Sequence, residues 1–383
     1  MNTYHIYYSY NELPNIWDSI VTHDIFLQSN YLKALEQASP NNIQWFYIGV
    51  FNEQELVGIA IIQRVQLYLK DMFRQTKVSC FKEFFRNVIS KIIKGNVLVV
   101  GNLTHTGQHG LFFQSDRITS ADYLNMVYEA VNELRKHIKH NQQKTIRAIL
   151  FKDFYEDDLI HNENFFNNNK LHKVYVQPNM AMSIKQNWIS NDDYIKEFNK
   201  KYRDRYKRAK KKLGIIKIAE LDSKGIQVQS KRLYDLYLNV SNNAKFNTFL
   251  LHENHFYSLK TELKSNFKVF GYFSNEELIG FYSLILNDKH LETYFLGYDT
   301  EHQCPNQLYL NMLYDMAQFG IEHKFENIVY ARTAMEIKSS VGAIPKPMIM
   351  YVKHTNNLLN SILKKLFNLM DPTQTWKQRH PFE

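Results

Sequence analysis

Apolar and polar positions follow the same order in two stretches of the chain, residues 43–65 and 267–286. Each stretch has an apolar run, a short polar turn and a second apolar run. Runs of β-branched and aromatic residues on both sides of a turn are typical of a β-hairpin. Apolar residues at helical spacing precede both stretches, near Phe26 and near Phe249. The pattern therefore predicts two hairpins, each with a helix before it.

The two predicted hairpins also share residues at fixed positions. These are Gly49, Phe51, Glu55, Leu56 and Gly58 in the first, and Gly271, Phe273, Glu277, Leu278 and Gly280 in the second. Every pair is separated by 222 residues, as Gly49 is from Gly271, without a gap. A period of this length is typical of duplicated domains rather than of a solenoid. The 383 residues are enough for two cores of ordinary size.

The elements after each hairpin are predicted in the same order, which is strand, loop, helix and strand. They cover residues 96–101, 102–110, 121–139 and 145–151 in the first half, and 291–297, 298–306, 307–323 and 327–332 in the second. This order predicts an α+β fold in which a helix packs on a mixed sheet. The asparagine-rich residues 161–170 are predicted to be a loop between the halves.

Two further regions lie outside the repeated pattern. A basic stretch without clear periodicity, residues 70–94, follows the first hairpin. After the second repeat we expect a short helix within residues 333–343, a strand at 347–353 and an amphipathic helix at 358–370.

Composition narrows the class of protein. Hydrophobic residues make up 44%, so a globular chain is expected. Cys80 and Cys304 are the two cysteines, which excludes a disulfide framework and a thiolate-rich metal site. The first residues show no secretory signal, and no run approaches the ~18 apolar residues of a spanning helix, so we expect a cytoplasmic location with membrane contact at the surface only.

Positive charge is concentrated in residues 196–212, which hold ten Lys or Arg against Glu197 and Asp204. Apolar residues recur here at spacings of three and four from Ile195 to Leu213, which predicts one amphipathic helix. Its basic face is either a solvated surface whose lysine stems cover apolar groups, or a surface that binds phosphates of a nucleotide, a tRNA, a phospholipid or a pyrophosphate-linked precursor.

The duplicated order, together with four motifs, resembles the GNAT superfamily and, more narrowly, its double-domain branch related to the FemABX peptidoglycan-bridge aminoacyltransferases. The motifs are the basic segment at 202–212, FLGYD at 295–299, NQLYLNMLYDM at 306–316 and ARTAMEIKSSVGA at 331–343. The resemblance implies two tandem GNAT-like domains, residues 1–175 and 176–383, each with a mixed, mostly antiparallel sheet and packed helices.

The resemblance also implies an activity, the transfer of an acyl or aminoacyl group to a primary amine. The acceptor would be a cell-envelope precursor such as a peptidoglycan peptide, an amino sugar or an amino-lipid, and the donor would be acyl-CoA or an aminoacyl-tRNA. GNAT enzymes hold the CoA pyrophosphate with a glycine-rich loop, whereas the matching residues 302–309 contain no glycine. The alternative is a non-catalytic module of the same fold that binds an envelope polymer or a nucleic acid.

Four residues are candidates for catalysis. Lys338, matched to the lysine of the family's Lys-x-x-x-Gly element with Gly342, is implied to lie beside the acceptor and to offset negative charge, unless it is a surface lysine at a helix end. Asp299 follows the central strand and is a candidate proton acceptor or a turn residue. Tyr298 lies beside it where the superfamily opens its sheet, and Tyr309 matches the position of general acids in many acetyltransferases, although packing explains Tyr309 at least as well.

Eight further residues are candidates for substrate binding. They are Arg205, Arg208 and Lys211 on the basic segment, Arg332 and Glu336 beside Lys338, Asn306 near the glycine-free helix start, and Thr106 and Gly107 in the loop of the first half. Arg332 and Glu336 are equally well explained as a surface ion pair. His105 and His109 have a spacing suited to a metal but lack a third ligand, so no metal site is predicted.

Overall fold

The structure is a computed structural model and describes residues 1–67, 95–243, 247–369 and 376–383. The strands are β1 Asn2–Tyr7, β2 Ile43–Asn52, β3 Glu55–Leu67, β4 Gly95–Val100, β5 Leu111–Phe113, β6 Ile146–Phe154, β7 His172–Ser183, β8 Lys217–Glu220, β9 Phe267–Ser274, β10 Glu277–Asn287, β11 His290–Tyr298, β12 Asn327–Ala331 and β13 Ile344–His354. The irregular stretch predicted at 70–94 and Cys80 lie outside the described residues.

The helices in the described residues are mostly short. They are α1 Ser29–Gln37, α2 Ser120–Gln142, α3 Glu163–Asn168, α4 Asn191–Glu197, α5 Lys200–Leu213, α6 Ser223–Val228, α7 Ser230–Asn243, α8 His255–Leu263, α9 Thr300–Asn306, α10 Leu308–Glu322, α11 Met335–Ser339 and α12 Asn357–Leu369. Consecutive antiparallel strands in both halves are combined with helices before and after them, which confirms the predicted α+β class.

The chain forms two compact units. The first comprises Met1–Gln177, Ala244–Leu251 and Pro347–Thr373, and the second comprises Pro178–Asn243, His252–Lys346 and Gln374–Glu383. In the first unit the sheet order is β1-β2-β3-β4-β6-β13, with β5 added to β3. In the second it is β7-β12-β11-β10-β9-β8. The one parallel pair described in each sheet is β4 with β6 and β11 with β12, so both sheets are mixed and mostly antiparallel.

The two hairpins have the same register, as the repeated residues predict. Gly49 pairs with Ile59 in the first hairpin, and Gly271 pairs with Phe281 in the second. Each ladder is also interrupted at the same place, before Gly58 and before Gly280. Both turns have two residues with positive φ, of 49° and 74° in the first and of 47° and 68° in the second, which is the turn that matches the twist of a hairpin. The duplication of this element is confirmed.

The predicted boundary after residue 175 lies close to Gln177–Pro178, where the chain passes from the first unit to the second. The units differ from the two predicted ranges because Pro347–Thr373, near the end of the chain, belongs to the first unit. There β13 pairs antiparallel with β6. In the second unit, the end of β7 pairs antiparallel with β12. Each sheet is thus completed by a strand whose partner is distant in sequence.

Three of the local predictions were wrong. The predicted loop at 298–306 forms α9, and the predicted loop at 161–170 contains α3, because Asn162 caps it by accepting a hydrogen bond from the Phe165 amide at 3.0 Å. The single basic helix predicted up to Leu213 is divided into α4 and α5, because Asn199 leaves the helical conformation to cap α5.

Each unit has its own hydrophobic core. In the first, α2 packs Leu124, Val127 and Leu134 against the sheet. In the second, α10 packs Met312, Leu313 and Met316 against residues of β10 and β12. Burial of apolar side chains from one helix and one sheet face is the main stabilisation of such a layer.

Candidate functional site

The sheet of the second unit opens between β11 and β12, the one parallel pair described in that sheet. The pairing of β11 with β12 covers three positions, from His290 with Asn327 to Glu292 with Val329. From there β11 continues to Tyr298 without β12 as a neighbour. In the first unit the equivalent strand β4 stays paired with β6 up to its last residue, Val100. In the second unit, the last residues of β11 therefore have backbone groups that face an opening rather than β12. In the first unit, β6 lies beside β4 up to the end of that strand.

The side chain of Lys338 reaches the end of β12, on the side where the strands part. Its Nζ donates hydrogen bonds to the carbonyl oxygens of Ala331 at 3.2 Å and Arg332 at 2.6 Å. Ala331 is the last residue of β12 and has a φ of 58°, and Thr333 and Ala334 also have positive φ, so the chain turns sharply here. The left-handed backbone brings the two carbonyl oxygens to one amine.

Lys338 is buried, with 5% of its surface exposed, and not on the surface. Burial lowers its pKa from 10.5 to about 7. No ion pair with an acidic side chain is found for it among the described residues. The two carbonyl oxygens take two of the three N–H donors of the ammonium form, which leaves one donor for another acceptor.

We expect the burial of Lys338 to make stability depend on pH. Between about pH 7 and 10.5 the unfolded chain carries a proton on this amine that the folded chain does not, so stability rises with pH in that window, by at most about 1.4 kcal/mol per pH unit. Lys338→Met should lack this increment. Urea unfolding at pH 7, 8 and 9 measures it, with exposed Lys346→Met as the control that keeps it. Identical slopes in the wild type and Lys338→Met would contradict the burial of the amine.

The carboxylate of Asp299 is held by an arginine that the sequence did not single out. Arg232, on α7, lies 2.5 Å from Oδ2 of Asp299 and also donates to the carbonyl oxygen of Leu278 at 2.8 Å. The backbone oxygen of Asp299 accepts from the amide of Gln303 in α9 at 3.0 Å. The side chain and the backbone oxygen of Asp299 are both held by other elements of the chain, so this geometry favours the interpretation of Asp299 as an anchor at the end of β11. Its role as proton acceptor stays a prediction.

Tyr298 and Tyr309 lie next to one another, with ring centroids 6.2 Å apart. Burial raises the pKa of both hydroxyls above 10, so both keep their protons at neutral pH. The backbone amide of Tyr309 donates to Oε1 of Gln303 at 2.9 Å, which ties the start of α10 to α9. Two neutral hydroxyls at the end of β11 have the protonation state required of a general acid.

On α5, Tyr202, Ala209 and Leu213 are buried, and most of the basic residues lie outside that buried face, whereas Lys210 is in contact with Asp315 of α10. Arg208 and Lys211 are exposed, and Arg205 is half-buried. The helix is fixed to the region after β11, because Asn306 donates to the carbonyl oxygen of Lys212 at 3.0 Å and Asn311 donates to that of Ala209 at 3.0 Å. The amphipathic interpretation is confirmed for α5.

The residues that flank Lys338 have different surroundings. Arg332 is half-buried, and burial lowers its pKa to about 10. Glu336 is exposed and accepts from Nε of Arg379 at 3.0 Å, so it forms an ion pair with Arg379 and not with Arg332. An exposed pair of this kind contributes little to stability, which favours a structural interpretation of Glu336.

Thr106 and Gly107 belong to the first unit, whereas the other ten predicted site residues belong to the second. The amide of Gly107 donates to Oδ2 of Asp153 at 3.2 Å. Other amides of the same loop also have acceptors within the chain, as the Leu103 amide has in Gln63 and the Gly110 amide in Gln108. A phosphate-binding loop needs amides that point outward, so this arrangement disfavours phosphate binding here.

The described residues contain no group of three or more His, Cys, Asp or Glu side chains arranged to hold a metal ion. Nor does any helix in that part of the chain combine the length and the apolar character needed to cross a bilayer.

Comparison with known proteins identifies the fold. Neither a protein-family model nor a curated protein matches the sequence. Among solved structures, FemX matches with a TM-score of 0.53 and 11% identity over 91% of this chain and 97% of FemX. A tandem GNAT protein from the clavulanic acid biosynthesis pathway, solved without AcCoA, matches with a TM-score of 0.51 and 8% identity over 92% of this chain and 99% of that protein. The chain shares the fold of these two proteins, the second of which is described as a tandem GNAT protein.

Proposed function

We propose that the protein is an N-acyltransferase or aminoacyltransferase whose reaction takes place where β11 and β12 part. The observation that carries the proposal is the position of Lys338, a buried amine at the end of β12, where β12 and β11 have parted. A buried titratable group without an acidic partner is costly to keep, and such groups are concentrated at functional sites. The tandem GNAT fold supports an acyl-transfer reaction as the general kind.

The proposed reaction uses the chain's own groups as follows. The amine of the acceptor attacks the carbonyl carbon of the donor ester or thioester, the C–N bond forms, and negative charge develops on the carbonyl oxygen. The remaining N–H of the Lys338 ammonium stabilises that charge. The C–O or C–S bond of the donor then breaks, and Tyr309 or Tyr298 protonates the leaving oxygen or sulfur. The attacking amine releases its proton to solvent, and the tyrosine regains a proton from solvent. The part of β11 that continues beyond its pairing with β12 holds the arm of the donor.

We propose acyl-CoA or aminoacyl-tRNA as donor and a primary amine of a cell-envelope precursor, such as a peptidoglycan peptide or a lipid-linked amine, as acceptor. The protein would act in the cytoplasm, with contact to the membrane surface where the acceptor is lipid-linked.

A three-donor assay tests this. The protein is incubated with a hydroxylamine or amino-sugar acceptor and with acyl-CoA, acyl carrier protein or charged tRNA, each labelled on the acyl group. Release of label to the amine from one donor, above the rate without protein, supports the proposal. Binding of an envelope polymer or a nucleic acid without transfer from any of the three would favour the non-catalytic module instead.

We further propose that the exposed face of α5 binds the phosphates of the donor or the acceptor. Because Asn306 ties α5 to the end of α9 and Asn311 ties it to the first turn of α10, its cations lie beside the segment that follows β11. Phosphate contacts from such a surface are weakened by salt, because counterions compete for the phosphates.

Reversing charge on this face should weaken binding of a phosphate-bearing partner. For Arg208→Glu with Lys211→Glu we expect at least a tenfold loss of affinity for tRNA or the phosphorylated precursor at low salt, and a flatter dependence on salt. Fluorescence anisotropy at 50, 100 and 200 mM salt measures both. The matched control is Lys136→Glu with Lys139→Glu on the exposed side of α2. If the α5 and control variants bind equally, α5 is a solvated surface.

A further inference from the structure

Loop 102–110 of the first unit covers a group of buried polar side chains that the proposed acyl transfer does not use. At one end of the loop, Nδ1 of His109 lies 2.7 Å from Oδ2 of Asp24, which is buried. The other oxygen of Asp24 accepts from the amide of Phe26 at 3.1 Å. Burial alone would raise the pKa of Asp24, but His109 lowers it on balance. This contact ties the loop to the turn that precedes α1.

His105 is held in the middle of the same loop. Its Nδ1 lies 3.2 Å from the hydroxyl of Tyr31, its backbone oxygen accepts from Nζ of Lys152 at 2.8 Å, and its ring lies 4.3 Å from that of Phe26. Its Nε2 is buried and has no hydrogen-bond partner among the described residues. Because Nε2 has no acceptor there, we assign the proton of the neutral ring to Nδ1, which donates to the Tyr31 hydroxyl, while that hydroxyl lies 3.3 Å from Oγ1 of Thr104 as its own acceptor.

The groups around His105 disfavour a positive charge on it. His109 on the same loop and Lys152 on β6 are its cationic neighbours. The nearby carboxylates are already in contact with other cations, Asp24 with His109 and Asp153 with Lys152. Burial first, and then His109 and Lys152, lower the pKa of His105 well below 6.5. A second proton would have to go to Nε2, and it would create a buried N–H without an acceptor among the described residues.

We propose that loop 102–110 is a proton-operated latch, closed while His105 is neutral and opened when His105 takes up a proton. The latch is independent of the proposed transfer reaction in the second unit. In the open loop His105 titrates near its usual value of about 6.5, so closure is complete above that pH and weakens by up to about tenfold for each pH unit below it. A proton on His109 beside Asp24 favours closure and therefore opposes the effect.

Hydrogen exchange of the peptide covering the loop, between pH 7.5 and 5.0 and corrected for intrinsic exchange, tests the latch in the full chain. We expect the wild type to lose protection about tenfold or more on acidification. His105→Gln keeps a neutral hydrogen-bonding side chain and should retain protection at pH 5.0. The matched control is His161→Gln in the same unit, where Nε2 lies 2.7 Å from the Tyr351 hydroxyl, and it should behave as the wild type.

Three results would overturn the proposal. The wild type could keep its protection at pH 5.0, or His105→Gln could lose protection as the wild type does. The peptide of α2 could also lose protection at the same pH as the loop, which would indicate unfolding of the whole first unit. His109→Gln separates the Asp24 contact from the latch, because we expect it to lower protection at pH 7.5 and still to lose more on acidification.

Discussion

Lys338→Met is expected to lower the rate of acyl transfer by about 100-fold at saturating substrate, the usual scale for loss of one positioned charge-stabilising donor. The physical reason is that the Lys338 amine has one donor left after its bonds to Ala331 and Arg332. Methionine preserves most of the volume, so the buried site is not emptied as it would be by alanine. Single-turnover rates with the donor identified by the three-donor assay measure the effect.

The pH profile distinguishes a catalytic role of Lys338 from a structural one. Because its pKa is about 7, the ammonium form that stabilises the oxyanion is lost as pH rises through 7, so the transfer rate should fall above that pH for this reason. Lys338→Arg should keep a charge at all these pH values, remove this fall and recover only part of the rate, because a planar guanidinium does not replace a compact ammonium. Exposed Lys346→Met should change neither rate nor profile.

Unchanged turnover in Lys338→Met would rule out this residue as the source of charge stabilisation. The remaining candidates would then be Tyr298, Tyr309 and Asp299, and the tyrosines would be tested first because Asp299 is in contact with Arg232. If Lys338→Met loses both the transfer rate and cooperative unfolding, the loss of rate has a structural cause. The pH profile of Lys338→Arg then tests whether the Lys338 amine takes part in catalysis.

The local pattern of side chains was sufficient to predict the two hairpins and their register. The hairpins are specified by contiguous residues, so the alternation of side chains and the two turn residues carry the register, and the offset from Gly49 to Gly271 held in the ladder. The helix α5 was recognised for the same reason, since Tyr202 and Leu213 keep helical spacing. Its separation from α4 was missed because Asn199 acts as a cap, which periodicity alone does not show.

Contacts between distant segments were not predictable from pattern. The pairing of β13 with β6 joins residues separated by about half of the chain, and no local period specifies that partner. The burial of Lys338 has the same origin, because it depends on the left-handed turn after β12 rather than on its own helix. The role of Arg232 could not be predicted from its own segment. It lies on α7, and its partner Asp299 follows β11, which is distant in the sequence.

Gly297→Ala is expected to destabilise the second unit by about 3 kcal/mol, the upper part of the range for an overpacked core position. A Cβ at Gly297 would lie 2.4 Å from the carbonyl carbon of Leu236 and 2.5 Å from the amide nitrogen of Tyr237. Both are backbone atoms of α7, which cannot move aside as the end of a side chain can. The whole helix would have to retreat from β11, and Arg232 would retreat with it.

Gly280→Ala provides the contrast, because the nearest atom to its Cβ would be the terminal methyl of Met312 at 2.8 Å, on a flexible side chain. We expect it to cost about 1 kcal/mol, so urea unfolding of the two variants should differ by about 2 kcal/mol. Since Arg232 holds Asp299, Gly297→Ala should also lower the transfer rate under conditions where the protein remains folded, and Gly280→Ala should not. Equal destabilisation by the two substitutions would mean that α7 does not approach β11 as closely as the structure has it, and the anchoring of Asp299 through Arg232 would then have to be abandoned.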